Sequence, residues 1–169
     1  MLFGAQAERA LPAQATRHHA DEIFQVLSRT QAQGPTLIDQ DLFKIVETIT
    51  RRGIAVVITD LFAAGDSALE LIRQLNSQRQ EVVLFHLLSP EERDLPYEGE
   101  LLLEDSETGE QLPVHADAYR AEYQKRLNDF CAGIRDECIK LETDYQPLTT
   151  DQPLDVALIA YLEHRNAMP

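Results

Sequence analysis

Apolar residues fall along this chain in two patterns: short β-branched runs, and longer stretches where apolar positions recur every three or four residues. The runs Ile54–Thr59 (IAVVIT) and Glu81–Leu88 (EVVLFHLL) show no polar alternation. That predicts strands buried on both faces, as in a parallel sheet flanked by helices. Between them Leu69, Ile72 and Leu75 form a helical stripe, with Ser67 and Glu70 at the spacing of a capping box. Strand, helix, strand at this spacing predicts a right-handed parallel crossover.

The remaining elements follow from the same two periods. MLFGA at the start reads as a strand and ERALPA as its return; chain ends usually fray, so a core-grade strand at Met1 predicts a polypeptide that begins inside a longer domain. A helix is predicted over residues 17–31 with Ile23, Val26, Leu27 and Thr30 in helical spacing, stopped by Gly34-Pro35. A second opens within residues 38–41, buries Leu42, Ile45, Val46 and Ile49, and is closed by Arg51, Arg52 and Gly53. Ser89-Pro90-Glu91-Glu92 predicts a capped single turn. Glu100–Glu104 and residues 110–114 predict a hairpin around the turn at 105–109. The longest helix spans residues 116–141, with Tyr119, Tyr123, Leu127, Phe130, Ile134, Cys138 and Leu141 as its stripe. A last strand covers residues 144–148 and a last helix 153–163, with Leu154, Ala157, Leu158, Tyr161 and Leu162 facing inward. No repeat or low-complexity linker interrupts this order, which predicts one α/β domain over residues 1–169.

Composition narrows the partners. Asp and Glu total 29 against 15 Lys and Arg, a net charge of −14, so the average surface repels phosphate backbones and anionic lipid. Nine acids against one base, Arg93, lie between Glu91 and Glu110, either a solvated acidic excursion or a docking surface for a basic partner. No apolar run approaches the roughly 20 residues of a membrane-spanning helix, and the start lacks the marks of a signal peptide; the expected compartment is the cytoplasm. Cys131 and Cys138 are seven residues apart in one helix, about 10 Å at 1.5 Å per residue, too far for a disulfide. They read as reduced core thiols.

Chemistry in an open parallel sheet collects beyond the carboxyl ends of its strands, and Asp60 stands at such an end. A carboxylate there either ligates a hard cation with other oxygen donors or shapes the turn. Thr36, before the second helix, is the nearest hydroxyl by topology. Asp66 reads as a turn residue. Asp60-Leu61-Phe62 lacks the second acid of a haloacid-dehalogenase-like loop, and the 7 glycines form no phosphate-binding array. His18-His19 reads as a solvated helix start, and His86 inside its apolar run as a satisfied core histidine.

The segments GPTLIDQDL (34–42), RRGIAVVITDLF (51–62), EVVLFHLLSPEERDLPYEGELLLEDSETGEQLPV (81–114) and TDQPLDVALIAYL (150–162) resemble the C-terminal part of the bacterial von Willebrand factor A-like proteins of domain-of-unknown-function family fifty-eight. The resemblance covers nearly the whole chain, and the hairpin followed by TDQPL is its most specific part. It implies a doubly wound, mostly parallel Rossmann-like sheet with helices on both faces and an inserted β-hairpin. It also implies a metal-ion-dependent adhesion site built from an Asp-x-Ser-x-Ser loop, a Thr and an Asp. Thr36 matches that Thr and Asp60 that Asp, with Mg²⁺ the implied ion. No Asp-x-Ser-x-Ser occurs in these 169 residues. MLFGA matches the second strand of the fold, so its first strand is missing, and Leu37 stands where many relatives carry Asp.

What the resemblance implies for function is a non-enzymatic interaction domain that works beside a MoxR-type AAA+ ATPase in protein assembly or maturation. The missing central strand would leave apolar edges exposed, from which self-association or low stability is expected. The alternative from another class is a metal-assisted hydrolase or phosphatase-like enzyme using Asp60.

Overall fold

The structure is a computed structural model of the chain and describes residues 2–3, 7–9, 11, 14, 16–30, 46, 49, 51–62, 65–104 and 109–167. It divides into two compact units, Met1–Thr50 and Arg51–Pro169.

In the first unit, β1 (Leu2–Phe3) pairs antiparallel with β2 (Ala7–Arg9) in a two-stranded sheet, as the returning-strand pattern predicts. The helix α1 (Arg17–Arg29) begins where Thr16 caps it, its side chain accepting from His19 N at 3.2 Å. His18 is exposed, but His19 is buried and its Nδ1 lies 3.2 Å from Glu22 Oε2. Only the first of the pair is therefore a solvated helix start. The predicted second helix lies outside the described residues except for Val46, which is helical and buried, and Ile49, whose N–H donates to the Val46 carbonyl.

The second unit is a mixed α/β layer built on a three-stranded parallel sheet. Its elements are β3 (Ile54–Thr59), α2 (Gly65–Ser77), β4 (Glu81–Leu88), α3 (Pro90–Asp94), β5 (Glu100–Glu104), β6 (Gln111–His115), α4 (Ala116–Lys140), β7 (Asp144–Thr149) and α5 (Leu154–Ala167). The sheet order is β3-β4-β7, with Val56 opposite Val83, Thr59 opposite His86 and Phe85 opposite Gln146. β5 and β6 pair antiparallel as a separate hairpin. The helix α2 starts at Gly65, three residues before Ala68, where a Ser67–Glu70 capping box would begin it. The capping box at Ser89 forms: Ser89 Oγ accepts from Glu92 N at 3.1 Å and Glu92 Oε2 accepts from Ser89 N at 2.6 Å.

Strand alternation assigns the two faces of the sheet. On one, Val83, Phe85, Leu148 and Tyr161 of α5 form a core cluster, the Phe85 and Tyr161 rings meeting edge to face at 5.6 Å. On the other, His86 meets Phe130 of α4. Helices α2 and α4 are joined where Asn76 Nδ2 donates to the Leu141 carbonyl and to Thr143 Oγ1. Val82, Val83 and Leu84 are essentially inaccessible, so β4 is covered on both faces as expected.

β3 departs from that expectation. Ile54, Val56 and Ile58 are 56%, 52% and 57% exposed, and only Val57 is buried. Among the described residues no strand pairs with the other edge of β3, and the core cluster that Tyr161 of α5 joins on this face draws on β4 and β7. The stripe of α4 is likewise buried at Ile134 and Cys138 but open at Tyr119 and Phe130. A helix of 25 residues, at about 1.5 Å each, overhangs a strand of six or eight. Its first half instead holds the loop after β4: Tyr123 Oη donates to the Glu92 carbonyl at 2.6 Å, Gln124 Nε2 to that of Asp94, and Arg120 to those of Leu95 and Tyr97. In α5, Ala157 and Tyr161 are buried while Leu154 and Leu162 are exposed.

Ile72 of α2 has no exposed surface. Ile72→Ala is expected to lower the unfolding free energy by about 2–5 kcal/mol in urea titrations; a loss below about 1 kcal/mol would mean that α2 yields without leaving a cavity.

Candidate functional site

Asp60 follows the last residue of β3, at the carboxyl end of the parallel sheet, and its side chain is exposed. Thr59 Oγ1 accepts from Leu61 N at 3.0 Å and Asp60 Oδ1 accepts from Phe62 N at 3.1 Å. Two side-chain oxygens thus take up backbone donors where the ladder ends. Leu61 adopts a φ of 61°, a conformation that costs a branched residue roughly 1–2 kcal/mol. Its side chain is nearly inaccessible, and burying a leucine returns about 1.5–3 kcal/mol. The turn is held by that burial.

Behind it sits His86, fully buried on β4. Its Nε2 lies 3.2 Å from the Asp60 carbonyl oxygen and its Nδ1 2.8 Å from the Tyr145 hydroxyl of β7. A carbonyl only accepts, so Nε2 carries the proton and donates, and Nδ1 accepts from the Tyr145 O–H. The rings of Phe130 and Tyr145 pack against the imidazole at 6.1 and 5.9 Å, and the Arg135 guanidinium lies 5.7 Å over the Tyr145 ring. Burial pushes the His86 pKa below its ordinary value, against the opposing pull of the Asp60 carbonyl and the Asp60 and Glu92 carboxylates. Burial also pushes the Tyr145 phenol well above its usual range. The expectation of a satisfied core histidine is met, and its bond to Asp60 is an addition to it.

Of the two predicted ligands, Asp60 is described and Thr36 lies outside the described residues, as does Leu37. Among the described residues no group of three or more His, Cys, Asp and Glu is placed to hold a metal ion. Asp66 lies in the first turn of α2. Both cysteines are free, and burial pushes the Cys138 thiol up to about 11, which keeps it protonated and inert; Cys131 is only partly buried. A cavity of about 550 Å³ opens at the opposite, amino end of the sheet, where Arg52, Arg79, Glu81 and Lys140 are among its lining. Among the described residues no helix is long and apolar enough to cross a membrane.

The sequence model of the family described as "Protein of unknown function DUF58" matches residues 1–130. An uncharacterized protein of Mycobacterium bovis is 27% identical over 113 residues, 64% of this chain and 35% of that protein, and an uncharacterized protein of Mycobacterium tuberculosis matches with the same figures. An uncharacterized protein of Mycobacterium avium is 29% identical over 105 residues, 59% of each chain. The matched region thus spans about a third of the length of the first two relatives. No solved structure matches the chain.

Because His86 titrates below its unfolded value in the fold, its contribution to stability is complete above about pH 6.5 and is lost as pH falls through the lower folded pKa. Melting temperature is expected to fall between about pH 7 and pH 5, and to fall less in His86→Gln, which keeps a donor and an acceptor without titrating. Parallel pH profiles for the two proteins would show that the loss arises elsewhere.

Proposed function

The chain belongs to the DUF58 family of proteins of unknown function, and within that family we propose that it is a non-enzymatic protein-interaction domain of von Willebrand factor A type, working beside a MoxR-type AAA+ ATPase in protein assembly or maturation. The observation that carries this reading is the strip Ile54, Val56 and Ile58, more than half exposed, which ends at the exposed carboxylate of Asp60. Apolar surface bordered by a fixed charge is what a protein partner buries and orients upon.

In this reading Asp60 lends an oxygen to Mg²⁺, and an acidic residue of the partner adds another. The donor chemistry of Asp60 fits a hard cation, which takes carboxylate, hydroxyl and water oxygens. The described residues supply one carboxylate, with one oxygen engaged by Phe62 N–H, so the ion is held weakly until the partner contributes. The hydrolase alternative needs a base beside Asp60. The buried base nearest to it, His86, directs both nitrogens to the Asp60 carbonyl and the Tyr145 hydroxyl, which favours a structural role.

Millimolar Mg²⁺ is expected to raise the melting temperature by about 2–4 °C, a ΔΔG on the order of 1 kcal/mol, and Asp60→Ala to abolish the rise. Titration calorimetry without measurable Mg²⁺ binding would remove the cation from this reading, and turnover of generic phosphate or ester substrates would replace it with the enzymatic one.

A further inference from the structure

The hairpin of β5 and β6 is tied at its root to the start of α4: the Ala116 N–H donates to the Gly99 carbonyl at 2.8 Å, and the Gly99 N–H to Asp117 Oδ2 at 2.9 Å. Its register runs without a shift from Glu100 opposite His115 to Glu104 opposite Gln111. Among the described residues no strand pairs with the outer edge of either strand. The two edges differ. β6 carries Pro113, which has no N–H to give, whereas every residue of β5, Glu-Leu-Leu-Leu-Glu, has one. Glu100, Leu102 and Glu104 share one face of β5 by alternation, and all three are exposed, Leu102 by 60%. Leu103, on the other face, is also open. The bases that flank the hairpin are engaged elsewhere, Arg93 with Asp94 and Arg120 with Asp117. This edge is therefore apolar in the middle and acidic at both ends.

Such an edge repels its own copy. Two β5 strands paired antiparallel about Leu102 would set Glu100 against Glu104 twice, and paired parallel in the same register would set each acid against itself. The same acids attract a strand of the opposite kind. We propose that β5 takes a basic, extended segment of a protein partner as an added antiparallel strand, with a base opposite Glu100, a base opposite Glu104 and apolar residues between them. In strand addition the main-chain hydrogen bonds supply affinity and the alternating side chains supply specificity. The acids stand four residues apart, about 13 Å along the strand, so the partner's bases must be separated by three residues. A slip of one residue puts a base opposite Leu101 or Leu103, and a slip of two puts one opposite Leu102. Strand addition at β5 gives the interaction domain a second surface, needs no cation and does not rest on the role of Asp60.

The probe is a fluorescein-labelled peptide with the core Arg-Val-Val-Val-Arg between Gly-Ser ends, titrated with the protein in EDTA and read by fluorescence anisotropy. It is expected to bind with a dissociation constant on the order of 100 μM. The same peptide with Glu in place of both arginines is expected to bind about tenfold more weakly, and Glu100→Lys/Glu104→Lys to reverse that preference. N-methylation of the three valines, which removes main-chain donors and keeps the charges, is expected to weaken binding about tenfold. The peptide series decides the matter should the double exchange fail to fold, which circular dichroism reports. No binding up to about 1 mM, or equal binding of the basic and acidic peptides, overturns the proposal. A basic peptide that binds the double exchange as tightly as the natural chain is held elsewhere on the acidic surface, and one indifferent to N-methylation is held by charge alone; either result overturns strand addition at β5.

Discussion

An imidazole at the centre of an apolar layer is tolerable only if both nitrogens are bonded, because an unsatisfied buried polar group costs on the order of 1–3 kcal/mol. His86 meets that condition with partners from two other strands, the Asp60 carbonyl after β3 and the Tyr145 hydroxyl on β7. These two bonds reach across all three strands, from the carboxyl end of β3 to Tyr145 near the start of β7. They fix the tautomer of the ring and the position of the Asp60 backbone together. The Asp60 carboxylate, held in turn by the Phe62 N–H, has its place because a buried neighbour must be satisfied.

The same end of the sheet is braced from outside. The loop leaving β4 starts with a complete capping box at Ser89 and Glu92. Tyr123, Gln124 and Arg120 of α4 then donate to its carbonyls. Loops at such a position carry the function of parallel sheets, and this one is anchored by side chains of a helix that overhangs the strands. The overhang leaves Tyr119 exposed, yet it places the donors of α4 where the loop needs them.

Much of this was legible in the chain. Ile54–Thr59 and Glu81–Leu88 begin and end where their apolar runs do, because a break to Gly, Asp or Ser coincides with the end of each ladder. The hairpin and the long helix were equally clear from their periods. The exposure of β3 was not, since an uninterrupted apolar run looks the same in a strand covered on both faces and in an edge strand. The partners of His86 were also hidden: one imidazole within EVVLFHLL signals that a partner must exist, but Tyr145 lies 59 residues away. The start of α2 was misplaced because Ser67–Glu70 satisfies a capping pattern inside a helix that Gly65-Asp66 already opens. Of the candidate ligands Asp60 is described and Thr36 is not, so topology alone relates them.

Asp60 thus joins a buried constraint to an exposed charge, its carbonyl satisfying His86 while its carboxylate faces solvent. A carboxylate fixed at the end of an apolar strand in a chain of net charge −14 draws positive charge. A hard cation needs further oxygens converging from neighbouring loops, and one oxygen of Asp60 is already engaged by the Phe62 N–H. The same backbone that the buried imidazole fixes therefore sets both where this charge stands and how much of it is left for a ligand.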